Sequence, residues 1–145
     1  MTAQSVIVQC STTIANCSAC SLVSSTVTCS ACGSGNKLYQ NTCVATCPAL
    51  TYEKTTNNTC VNNPANCTVA ATNTGVCVTA AVGYYVSATN TVIKCSTTIS
   101  SCNTCSRVSS TVTCDTCNSS LKLYQNTCVV SCPALTYENT TNSTC

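Results

Sequence analysis

Cysteine is the one residue type here with the number and spacing to carry chemistry, with 18 in 145 residues. Two stretches space eight of them as C-x6-C-x2-C-x8-C-x2-C-x10-C-x3-C-P-x11-C. The first set is Cys10, Cys17, Cys20, Cys29, Cys32, Cys43, Cys47 and Cys60; the second is Cys95, Cys102, Cys105, Cys114, Cys117, Cys128, Cys132 and Cys145. Three chemistries compete for such sulfurs. Structural disulfides are the first. Zinc is the second, because Cys17/Cys20 and Cys29/Cys32 form paired C-x2-C motifs. Zinc ribbons, however, separate their pairs by roughly 15–20 residues, against eight here. A redox C-x2-C is the third, and it belongs at a helix start in a βαβ setting that this sequence lacks. The even count and the polar, sequon-rich composition favour disulfides. No metal and no cofactor are expected.

The remaining composition narrows the function. His, Phe and Trp are absent, and only eight residues carry a formal charge. Without His there is no Ser-His-Asp or Cys-His machinery. The acids Glu53, Asp115 and Glu138 are too scattered to read as a carboxylate pair. A net charge of +2 without a basic cluster argues against nucleic acid. No apolar run approaches the ~18 residues of a membrane span. Ile, Leu and Val number only 26, so packing alone is a poor source of stability. Cross-links must substitute, which places the chain in an oxidising compartment, extracellular or at a cell surface.

The elements that position the cysteines come in repeats. Cys10–Cys60 matches Cys95–Cys145 without a gap at an offset of 85, with 37 identities in 51 positions. Three segments follow: module 1 over residues 1–60, a degenerate half-module over 61–94, and module 2 over 95–145. The half-module holds only Cys67 and Cys77. Its best alignment sets Cys67 against Cys117 and Ala81 about where Cys132 stands. The Met1–Gln9 segment lacks the basic and apolar regions of a secretory signal. It resembles Ser87–Cys95, so the chain reads as a section of a longer array. VSSTVTC is β-branched and alternating and reads as a strand. NKLYQNTCV reads as a hairpin turning at Gln40–Asn41–Thr42. LTYEKTTNNTCV and YYVSATNTVIKC read as strand, polar turn, strand. The expected fold is a small disulfide-rich protein of short β-hairpins, an elongated tandem-repeat rod with little helix.

With its two C-x2-C pairs, its C-x3-C-P and its Tyr before a final Cys, the module resembles the furin-like cysteine-rich repeats of growth-factor-receptor ectodomains. The nearly charge-free, Thr/Ser/Asn-rich version in tandem is similar to the surface immobilization antigens of ciliates. The resemblance implies bridges from first to third, second to fourth, fifth to sixth and seventh to eighth cysteine. In module 1 these are Cys10–Cys20, Cys17–Cys29, Cys32–Cys43 and Cys47–Cys60. In module 2 they are Cys95–Cys105, Cys102–Cys114, Cys117–Cys128 and Cys132–Cys145. Cys67 and Cys77 are left for each other. The x6 gap after Cys10 departs from the receptor pattern.

N-linked glycans are expected at sequons. Asn57, Asn139 and Asn142 fall at one hairpin tip in the two modules. Asn118 is a further sequon, and Asn16 and Asn66 carry Cys as the middle residue. Tyr39, Tyr124, Tyr52 and Tyr137 recur between modules and read as packing against disulfides. The exposed member of Tyr84–Tyr85 reads as a contact between chains. The charges read as solvated. Together these features point to a non-enzymatic coat antigen or filament subunit that associates with itself, head to tail or within a longer array. The alternative is a receptor-like or secreted binding module for a protein or carbohydrate. The copies differ at neutral positions, such as Gly35–Asn36 against Ser120–Leu121, which favours bulk structural use.

Overall fold

The structure, a computed structural model, describes residues 9–145. Module 1 runs α1 (Cys10–Thr13), β1 (Cys17–Val23), β2 (Thr26–Cys32), β3 (Lys37–Tyr39), β4 (Thr42–Val44), β5 (Thr51–Lys54) and β6 (Thr59–Asn62). The half-module adds β7 (Cys67–Ala70), β8 (Cys77–Ala80), β9 (Tyr84–Val86) and β10 (Val92–Lys94). Module 2 supplies α2 (Cys95–Thr98), β11 (Cys102–Val108), β12 (Thr111–Cys117), β13 (Lys122–Tyr124) and β14 (Thr127–Val129). Consecutive strands pair as antiparallel hairpins, so the fold is the small disulfide-rich β class, in tandem and with little helix.

The turn residues dictate these hairpins. VSSTVTC is not one strand. Ser24 and Ser25 both take positive φ, 47° and 66°, and close a two-residue turn between β1 and β2. Such turns match the strand twist but need the left-handed region, which Asn and Gly reach most easily. Serine pairs are uncommon there, and the β-branched flanks conceal the break. Gln40 and Asn41, at 43° and 67°, turn β3 into β4. Gln125 and Asn126 repeat this at 43° and 66°. In module 1, β5 and β6 pair and β6 joins β3 in parallel, giving the order β4-β3-β6-β5. In module 2 the corresponding hairpin is reduced to isolated bridges, Asn139 with Thr144 and Leu123 with Thr144.

The half-module aligns differently from the expected register. Cys67 occupies the place of Cys17 and Cys102, not that of Cys117. Asn16, Asn66 and Ser101, each just before that cysteine, all have φ near 60°. Their carbonyls accept the N–H of Gly33, Ala81 and Asn118, at 2.7, 2.8 and 2.9 Å. The pairing slips at the same point in all three hairpins, one residue past the cysteine. Ala81 therefore stands for Gly33 and Asn118, and Ala70 for Cys20 and Cys105. The reason is partnership. Cys60 lies seven residues before Cys67, as Cys10 does before Cys17, but Cys60 is bonded to Cys47. A cysteine at position 70 would have no mate.

The chain divides into two compact units. One holds the residues up to Asn63 together with Ala71–Gly75; the other holds Pro64–Ala70 and Val76–Cys145. Among the described residues, every buried side chain is a cysteine: Cys17, Cys29, Cys60, Cys67, Cys77, Cys95, Cys102 and Cys114. In the second unit, Cys95, Cys102 and Cys114 form a cluster, with Ile99 and Leu123 packed on it. The sparse aliphatics lie largely outside these cores: Val82 is 85% and Leu135 is 106% exposed.

Candidate functional site

The functional geometry is a ladder of nine bridges. They join Cys10–Cys20, Cys17–Cys29, Cys32–Cys43, Cys47–Cys60, Cys67–Cys77, Cys95–Cys105, Cys102–Cys114, Cys117–Cys128 and Cys132–Cys145. Each full module follows the order that the resemblance implies. Hairpin register makes the order possible. In β1–β2, Cys17 faces Cys32 and Cys20 faces Cys29, so each cysteine bonds diagonally or to a flanking segment rather than to the residue opposite. Cα separations run from 5.4 Å at Cys47–Cys60 to 5.9 Å at Cys17–Cys29, within the span a bridge can close.

Neighbouring bridges touch. Cys29 Sγ lies 3.7 Å from Cys43 Sγ, and Cys114 Sγ lies 3.9 Å from Cys128 Sγ. The Cys29, Cys32 and Cys43 sulfurs, and those of Cys114, Cys117 and Cys128, fall within 4.8 Å of one another, as metal ligands would. A zinc site needs thiolates, and these sulfurs are all spent in bridges. Cys17, Cys67 and Cys102 each set Sγ 3.0 Å from the carbonyl oxygen two residues on. A bridged sulfur has no proton to donate, so these are packing contacts. Thiol titration of the denatured native protein is therefore expected to find no free thiol, and elemental analysis no stoichiometric zinc. Peptide mapping should recover Cys67 linked to Cys77. Several thiols per chain, or another partner for Cys67, would overturn this ladder.

A second device ties the hairpins together, and composition gave no sign of it. Asn41, in the β3–β4 turn, accepts the Cys29 N–H through Oδ1 at 2.5 Å and donates from Nδ2 to the Val27 carbonyl at 3.1 Å. Its amide imitates one rung of a β-ladder along the edge of β2. Asn126 does the same to Cys114 and Val112. The identical KLYQNTCV in both modules was the available signal.

The other expected residues are placed as follows. Asn16, Asn57, Asn66, Asn118, Asn139 and Asn142 are all exposed. Asn57 Oδ1 accepts the Thr59 hydroxyl and Asn142 Oδ1 that of Thr144, both at 2.7 Å. Asn139 Oδ1 accepts the Thr141 N–H at 3.1 Å. Tyr39, Tyr52 and Tyr124 are half-buried. Neither Tyr84 nor Tyr85 is fully exposed, and the Tyr85 hydroxyl meets Thr98 Oγ1 at 2.9 Å. The exposed tyrosine is instead Tyr137, at 82%. The acids are engaged rather than merely solvated. Glu53 lies 3.6 Å from Lys37, Glu138 pairs with Lys122, and Asp115 accepts the Ser106 hydroxyl at 3.0 Å. Pairs this exposed contribute little to stability, at most about 1 kcal/mol. No helix of the described residues is long and apolar enough to cross a membrane.

No family model, no curated protein and no solved structure matches this chain. Fold and bridges alone make it a cysteine-rich, disulfide-bonded, hairpin-repeat protein. Nine bridges in 145 residues suit an extracellular, oxidising setting.

Proposed function

We propose that this chain is a non-enzymatic structural protein of the extracellular or cell surface, a coat antigen or filament subunit built from glycosylated furin-like repeats. One observation carries the reading: among the described residues, every buried side chain is a cysteine. Each module invests its interior in covalent rigidity, while Ser, Thr and Asn make up much of its exposed surface, with aliphatics scattered among them. The reading is supported by the lack of His in the sequence and by the engagement of the three acids, Glu53 with Lys37, Glu138 with Lys122 and Asp115 with the Ser106 hydroxyl. Near-identical modules suit repetitive assembly. In its nearly charge-free, Thr/Ser/Asn-rich tandem style the sequence resembles the ciliate surface antigens, which supports the reading.

Electron microscopy of the native assembly tests the reading, with an ordered layer or filament as the expected view. Dispersed single molecules at high concentration would count against it. Mass spectrometry of the same material should find glycan on Asn57 and on Asn139 or Asn142, whose side chains are exposed at hairpin tips. Bare peptides at all three positions would remove the glycan coat from the picture.

A further inference from the structure

In module 1 the last hairpin holds a guest. The loop Ala71–Gly75, between β7 and β8, lies on β5 and the turn that follows it. Asn73 donates its N–H to the Glu53 carbonyl at 2.8 Å. Asn73 Oδ1 accepts both the N–H and the hydroxyl of Thr55, at 2.6 and 2.8 Å. Gly75, at φ 68°, lies against the Tyr52 ring so closely that a Cβ there would stand 2.7 Å from Tyr52 Cζ and Oη. A side chain there would push the Tyr52 ring aside, and the positive φ favours glycine as well. The receiving face is Tyr52, Glu53 and Thr55, and with this loop on it Tyr52 is half-buried.

Module 2 repeats the receiving residues as Tyr137, Glu138 and Thr140. There all three are exposed, Tyr137 at 82% and the neighbouring Leu135 at 106%. Strand pairing accounts for part of the contrast, because in module 1 Thr51 and Tyr52 of β5 also pair with Asn62 and Val61. The Thr55 N–H is a different matter. Its partner is the loop asparagine, not the paired strand. We propose that the Tyr137–Thr140 face is a docking site for a further half-module of the Val61–Lys94 kind, which would seat its Asn-Thr-Gly loop there as Asn73–Gly75 seats on Tyr52. The occupant must present asparagine two residues before a glycine of positive φ, and the face selects it by the same bonds and the same glycine–tyrosine contact. This rests on the occupied copy in module 1 and holds whether the array forms a coat or a receptor.

Amide exchange measured by NMR tests it, with module 1 as the internal standard. In the 145-residue chain, the Thr55 N–H should exchange about tenfold more slowly than that of Thr140. Asn73→Ala should bring Thr55 to the Thr140 rate. The chain is then extended by repeating residues 61–94 after Cys145. The Thr140 N–H should slow by about tenfold, and Tyr137 should lose reactivity to a tyrosine-acylating reagent. The same extension with its copy of Asn73 changed to Ala still supplies the strand but should leave Thr140 fast. A disulfide-closed peptide of residues 67–77, added in trans to the 145-residue chain, should shift Thr140 and Tyr137 resonances saturably at about millimolar concentration. The proposal fails if Thr140 stays fast in an extended chain whose added bridge has formed. It also fails if Asn73→Ala leaves Thr55 protected.

Discussion

Replacing both cysteines of Cys102–Cys114 with alanine is expected to cost about 5 kcal/mol, against about 3 kcal/mol for the same change at Cys132–Cys145. Closure entropy does not separate the two. Their loops span 12 and 13 residues, so each bridge restrains the unfolded chain by about 3 kcal/mol. Burial separates them. Cys102 and Cys114 are each 2% exposed and pack with Cys95, Ile99 and Leu123, whereas Cys132 and Cys145 are half-buried. Truncating the buried pair leaves voids lined by atoms that cannot collapse inward, because neighbouring bridges hold them, at about 1 kcal/mol for each sulfur removed. Urea denaturation of the two double variants decides the matter. Equal costs would show that the cores contribute nothing beyond cross-linking, and that the buried cysteines are an accident of thin modules.

Much of this fold was legible because its local chemistry is redundant. Asn at the hairpin tips, the matched cysteine spacings and the furin-like order all point to one arrangement, and the hairpins at NKLYQNTCV, LTYEKTTNNTCV and YYVSATNTVIKC stand where the turn residues put them. The failures have particular causes. Ser24–Ser25 turns the chain against serine's preference, inside a run whose β-branched residues read as continuous strand. The half-module register was open to view in the x6 gap from Cys60 to Cys67. That gap was obscured because Cys60 closes module 1 while standing where Cys10 and Cys95 open theirs. The contrast between Tyr52 and Tyr137 was not legible at all. The two sit in the identical stretch CPALTYE, and what distinguishes them lies downstream: strand partners at Val61 and Asn62, and a loop about twenty residues on that touches only Tyr52.

The Asn126 amide is where a single side chain should matter most outside the bridges. Asn126→Ala is expected to destabilise module 2 by about 3 kcal/mol, because three losses combine. The Cys114 N–H loses the Oδ1 acceptor, beside a buried cysteine. The Val112 carbonyl loses the Nδ2 donor. Alanine must also occupy φ 66°, which asparagine tolerates and alanine does not. Two further variants separate these terms. Asn126→Gly relieves the backbone strain and should cost about 2 kcal/mol, from the hydrogen bonds alone. Asn126→Asp keeps the acceptor for Cys114 and tolerates the conformation. It loses the bond to Val112 and turns a carboxylate oxygen toward that carbonyl, a repulsion that solvent at this exposed position screens, and should cost about 1 kcal/mol. The expected order of damage, Ala then Gly then Asp, should recur at Asn41, where the same two bonds are made. Denaturation midpoints that rank Asp worst would mean that the amide donor, rather than the acceptor, fastens the β13–β14 hairpin to the edge of β12.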